Sequence, residues 1–170
     1  MNNTEKNSYV KTKITDSLLM LLKENKLSDI SISEITEKAG VGRTSFYRNY
    51  KSKDDILRQY DLMLIKEWGK SFESNPRSNV NNLFGSLFQH YKNHADFYMI
   101  LYDNNLTDMI LDTIKDVSGP KAEMDNKEAY GKAFIAYGIY GWLMEWMSRG
   151  MKESEEEINA MLTFPDSRQM

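Results

Sequence analysis

The chain has 170 residues, 41% of them hydrophobic, and no cysteine. That length supports a real core in one or two small domains, and the missing thiols exclude a disulfide framework, a cysteine nucleophile and a Cys-based zinc site. The formal charge of −3 is unevenly spread: residues 1–53 hold ten Lys/Arg against six Asp/Glu, residues 54–170 twelve against nineteen. Only the basic front third suits a polyanion.

The polar start MNNTEKNSYVKTKI lacks the apolar centre of a signal peptide. No apolar run approaches the roughly 20 residues of a membrane span. A cytoplasmic protein with no membrane partner is expected.

Every long segment carries helical periodicity and none sustains strand alternation, so the expected fold class is all-α. A first helix is predicted over 8–25, where Val10, Ile14, Leu18, Leu21 and Leu22 share one face. Ser31 and Glu34 have capping-box spacing ahead of a helix with Ile32, Ile35 and Ala39 inside, and Gly40 stands where a left-handed C-terminal residue is wanted. A short helix over 43–49 follows. Ser52 and Asp55 cap a fourth that carries Ile56, Tyr60, Leu64, Trp68 and Phe72 to about residue 73. Beyond the breaker SNPRSNVNN, helices fit 79–93, 95–103 and 106–117. After SGPKAEMDN a long helix fits 123–150, and Ser154 to Glu157 caps a last one ending near Phe164-Pro165.

Two short helices over 32–39 and 43–49, joined by a tight glycine-containing turn, have the length of a helix-turn-helix. Phe46 and Tyr50, at i and i+4, suit inward packing. Arg43, Thr44, Ser45, Tyr47, Arg48 and Asn49 are then left outward, a set of donors and acceptors that fits a major groove. Tyr47, Lys51 and Lys53 suit phosphates. The other reading of the same residues is a solvated basic turn between core helices.

Residues 10–57, above all ISEITEKAGVGRTSFYRNYKSKDDIL, resemble the DNA-binding domain of TetR/AcrR-type transcriptional regulators. Ile35, Ala39-Gly40-Val41, Thr44-Ser45, Phe46-Tyr47, Tyr50 and Lys53 fall at the family's positions, and Thr36 departs from its usual alanine. The resemblance implies an N-terminal three-helix bundle with a helix-turn-helix (1–52) and a C-terminal helical ligand-binding and dimerisation domain (53–170). It implies phosphate contacts at Tyr47 and Lys53 and base reading by Arg43, Thr44 and Ser45, with Arg48 and Asn49 as further candidates and Ser31 at a phosphate.

It also implies a homodimer on a double-stranded operator. Gly131, Gly138 and Gly141 thin the 123–150 helix for close approach, since interior glycines cost a helix roughly 1 kcal/mol each. The family's body helices surround an effector cavity. Trp68, Phe88, Tyr91, Tyr102 and Trp142 are the candidate lining, because aromatics with polar tips line a cavity while packing into its wall. The expected function is a repressor released by a small-molecule effector, or a regulator whose body docks a protein partner instead. His90 and His94, at i and i+4, have no third ligand in the same two turns, so no metal is expected, no cofactor either, and no constellation points to an enzyme.

Overall fold

The computed structural model of the chain describes the backbone of residues 3–162. Among these residues all regular structure is helical, as expected. The helices are α1 (Asn3–Leu22), α2 (Ile32–Ala39), α3 (Arg43–Asn49), α4 (Lys53–Ser74), α5 (Leu83–Asn93), α6 (Ala95–Asp103), α7 (Asp108–Ser118), α8 (Asn126–Ser148) and α9 (Glu155–Leu162). Single 3-10 turns lie at Leu27–Asp29 and Val80–Asn82.

Local chemistry sets the boundaries. Ser31 Oγ accepts from the Glu34 amide at 3.2 Å while the Ser31 amide donates to Glu34 Oε2 at 2.7 Å, a complete capping box. Ser154 and Glu157 repeat it at 3.2 and 2.7 Å ahead of α9. The end expected near Phe164-Pro165 lies outside the described residues. Asp125 accepts from the Glu128 amide at 2.9 Å, so α8 begins at Asn126, later than the periodicity placed it. The first helix is shifted the other way. It starts earlier than Ser8 because nothing in TEKNS breaks a helix; residues 5–8 are exposed and carry no apolar stripe to mark the turn. It stops at Leu22 because the Asn25 amide side chain donates to the Leu21 carbonyl at 3.1 Å and closes the end.

Two compact units result. One comprises the chain up to Met63 together with Ile100–Met109; the other comprises Leu64–Met99 and the chain from Ile110. Helices α4, α6 and α7 therefore contribute residues to both. In the first unit α1 packs on α2 and α3. Ile14, Leu18, Ile35, Phe46, Ile56 and Leu57 are fully buried there, and Asn104 Nδ2 reaches the Leu22 carbonyl at 3.3 Å to hold the 100–109 segment.

In the second unit α5 lies against α9. The Gly85 amide donates to Asn159 Oδ1 at 2.7 Å, and a Cβ at residue 85 would come within 2.6 Å of the Glu155 carbonyl, so this crossing requires glycine. Phe88 packs at a tilt against Trp146 with centroids 5.1 Å apart, and Tyr91 against Tyr98 at 4.3 Å.

Candidate nucleic-acid interface

The turn between α2 and α3 is built by Gly40. At φ 66° it occupies the left-handed region, and the Val41 amide donates back to the Thr36 carbonyl at 3.0 Å to seal the end of α2. Thr36, the residue that departs from the family's alanine, is buried and turns its hydroxyl to the Ser33 carbonyl at 3.0 Å, so its polar atom is satisfied locally.

α3 is anchored by one face. Phe46 and Tyr50 are buried, their centroids are 6.0 Å apart, and the Tyr50 hydroxyl sits 3.5 Å from Thr15 Oγ1 on α1. Burial raises the Tyr50 phenol above its ordinary value, and the Thr15 bond only partly offsets that.

The other face is left to solvent. Arg43, Thr44, Arg48 and Lys51 are exposed, Tyr47 is 61% exposed, and Ser45 and Asn49 are half-buried. Arg43 Nη2 donates to Ser33 Oγ, which ties the start of α3 to α2 and leaves the rest of the guanidinium fork outward. Asn49 Nδ2 donates to the Ser45 carbonyl at 2.8 Å. Ser31 is exposed, but its amide and hydroxyl both serve the capping box, whose hydrogen bonds hold Glu34 below the usual carboxylate range.

Lys53 points elsewhere. Its ammonium donates to the carbonyls of Leu27 (2.5 Å), Ile30 (2.5 Å) and Ser28 (3.4 Å), so a phosphate contact has to replace one of these bonds. Spacing alone carried no sign of this clip, which depends on the 27–30 turn passing over the start of α4.

Two residues outside the helix-turn-helix join the surface. Lys6 and Asn7 of α1 line a groove of about 380 Å3 with Val10 and with Ser45, Arg48 and Asn49 of α3. A sequence signal for them existed: the stripe Val10, Ile14, Leu18, continued one turn back, arrives at Lys6.

The candidate effector residues do not share one chamber. Trp68 lines a polar cleft of about 350 Å3 with Glu67, Ser86, His90, His94 and Glu155, its indole donating to Ser86 Oγ at 3.1 Å. Phe88 and Trp142 line a separate apolar groove of about 250 Å3 with Phe84, Phe134 and Gly138. Tyr91 is fully buried, and Tyr102, half-buried, belongs to the first unit. The His90 and His94 rings lie at a tilt with centroids 4.8 Å apart; burial, and secondarily His94, lowers His90 to about 4. Among the described residues no group of three or more His, Cys, Asp or Glu is placed to hold a metal.

Gly131, Gly138 and Gly141 lie on exposed turns of α8, and a Cβ at any of them would meet nothing within 4 Å in the chain's own packing. No helix among the described residues is long and apolar enough to cross a membrane.

Residues 14–60 match the family described as "Bacterial regulatory proteins, tetR family", and residues 78–164, half of the chain, match its "Transcriptional regulator C-terminal region". The chain belongs to the TetR family of bacterial transcriptional regulators. Membership of that family makes it a DNA-binding transcriptional regulator.

Among curated proteins it is similar to the uncharacterized HTH-type transcriptional regulator YerO of Bacillus subtilis, 24% identical over 104 residues, or 56% of this chain. The match spans 36% of YerO, about a third of that relative's length. Two solved structures share the fold. Lin0861 of Listeria innocua superposes with a TM-score of 0.75 at 14% identity, over 95% of this chain and 91% of that one. A TetR transcriptional regulator of Streptococcus agalactiae superposes with a TM-score of 0.54 at 18% identity, over 93% of each chain.

Proposed function

We propose that this TetR-family chain is a homodimeric cytoplasmic repressor that holds a short pseudo-palindromic operator and releases it when an effector occupies the helical body. Residues 1–52 form the DNA-binding domain and 53–170 the effector-binding and dimerisation domain. Arg43, Thr44 and Ser45 read bases with Asn49 beside them, while Ser31, Tyr47 and Lys51 meet the backbone and Lys53 buttresses it.

The observation that carries the assembly is the outer face of α8. Gly131, Phe134, Ile135, Gly138 and Trp142 recur at i, i+3, i+4, i+7 and i+11, with Gly141 alongside. Phe134 is 81% and Tyr130 73% exposed. An apolar stripe interrupted by glycines that the chain's own packing does not use suits a second α8 at close range. Effector entry is assigned to the cleft beside Trp68, on the helix that begins at Lys53, the first residue after the DNA-binding domain.

Selection of bound duplexes from random DNA tests the proposal. It should return inverted half-sites whose centres lie about 10–10.5 bp, or a multiple, apart. Arg43→Ala should relax preference at one or two positions by roughly 1–3 kcal/mol, whereas Tyr47→Phe should weaken all sequences alike. Recovery of one asymmetric half-site, bound by one chain, would remove the dimer from the reading.

A second reading is favoured by the scattering of the aromatics over separate grooves: the body docks a protein partner. Effectors that dissociate the DNA complex support the first reading. Dissociation only by a purified partner protein supports the second.

A further inference from the structure

The groove between the first turns of α1 and the C-terminal half of α3 carries two cations, Lys6 and Arg48, and no carboxylate among its lining residues. Both side chains are exposed, and neither has a partner among the described residues. The neighbouring cation on α1 is engaged differently. Lys11 Nζ donates to Gln59 Oε1 at 3.0 Å, and Gln59 Nε2 donates in turn to the Asn49 carbonyl at 3.1 Å. These bonds tie α1 and α4 to the end of α3, so the groove has firm walls before anything enters it. Ser45 and Asn49 lie along its α3 side, fixed to one another at 2.8 Å, and Asn7 along the other.

Two like charges facing one groove without a counter-charge favour an anion between them. A phosphodiester fits that demand. It carries one negative charge on two non-bridging oxygens, which accept from an ammonium on one side and a guanidinium on the other. Position favours a DNA phosphate over a free one, because the groove runs alongside α3. With α3 seated in a major groove, one bounding sugar–phosphate strand passes beside it, where the first helix of a helix-turn-helix crosses the backbone.

We propose that this groove clamps one backbone phosphate per half-site, with Lys6 and Arg48 as its paired cations. The clamp rests on α3 being the recognition helix. It makes Arg48 a backbone contact and extends the footprint to the first turn of α1.

The full-length chain is titrated by anisotropy with a selected duplex and a scrambled one, between about 50 and 200 mM salt, as wild type, Lys6→Gln and Lys51→Gln. Each lost phosphate contact flattens the log–log salt slope by about 0.9, which is about 3.5-fold less affinity lost over that fourfold rise in salt. Lys6→Gln weakens one such contact in each half-site of the dimer, so it is expected to flatten the slope by up to about 1.8, about 12-fold over that rise, on both duplexes and to leave their affinity ratio unchanged. Asn7→Asp, which adds a carboxylate to the groove, should weaken both duplexes in equal proportion. Ethylation of one flanking phosphate per half-site should interfere more strongly with the wild type than with Lys6→Gln, which keeps only the Arg48 half of the clamp.

An unchanged slope in Lys6→Gln beside a flattened slope in Lys51→Gln overturns the clamp and spares the recognition surface. Unchanged slopes in both variants overturn the clamp together with the assignment of α3. A changed ratio between duplexes makes Lys6 a base contact, which also overturns it. So does a thermal shift with inorganic phosphate that Lys6→Gln abolishes while DNA slopes stay put, since the groove is then a free-anion site.

Discussion

Three carbonyl oxygens take the donors of a single ammonium at Lys53, at 2.5, 2.5 and 3.4 Å. Removing it strands the partly buried Leu27 and Ile30 carbonyls, and hydrogen bonds to a charged group are each worth roughly 1.5–3 kcal/mol. Lys53→Ala should therefore cost about 1–3 kcal/mol, roughly 2–10 °C in Tm for a chain of this size, with little change in the salt slope of DNA binding. Unchanged melting with a slope lower by about one would return Lys53 to the phosphate backbone. His90 is the other residue whose surroundings decide its behaviour. Its folded pKa is lowered from 6.5 to about 4, first by burial and then by His94. The unfolded chain thus takes up a proton near pH 6.5 that the folded chain refuses until about pH 4. Stability is level above that window and falls as pH drops through it. For this half-buried group we expect a loss of about 1–2 kcal/mol between pH 7 and 5, and a flatter profile in His90→Gln. Denaturant titrations at the two pH values check both, and a steep profile retained in His90→Gln would assign the acid sensitivity to other groups.

At the scale of elements, caps and faces behave differently. Caps are local, so Ser31, Asp125 and Ser154 mark helix starts through side chains within three residues of the amides they satisfy. A face has meaning only against what covers it. On α8 the periodicity of residues 126–148 is nearly all apolar, and burial divides it: Ala136, Leu143, Trp146 and Met147 turn inward, while Phe134, Ile135 and Gly138 turn out. Gly138→Leu should leave the isolated chain as helical and as stable as the wild type, since a Cβ there meets nothing within 4 Å. It should abolish the dimer and operator binding with it. Sedimentation as an intact dimer would show that the glycine serves another contact.

Across the whole molecule, the basic charge coincides with the helices up to the helix-turn-helix and the acidic charge with the helices after it. The charge bias was legible over residues 1–53, and the capping box of α2 and the inward pair Phe46 and Tyr50 in residues 31–50, because a helix-turn-helix is specified by neighbours in the chain. The family and the all-helical class followed from that stretch and from periodicity. Tertiary structure alone decided where long side chains end. Lys6 and Arg48 come to one groove from positions 42 residues apart, Lys53 reaches the turn at 27–30, and Trp68 lines one cleft while Phe88 and Trp142 line another. The physical reason is range. Caps and turns are satisfied by backbone groups a few bonds away, whereas a cavity or a pair of facing cations arises from helices that meet only after the apolar stripes have been buried.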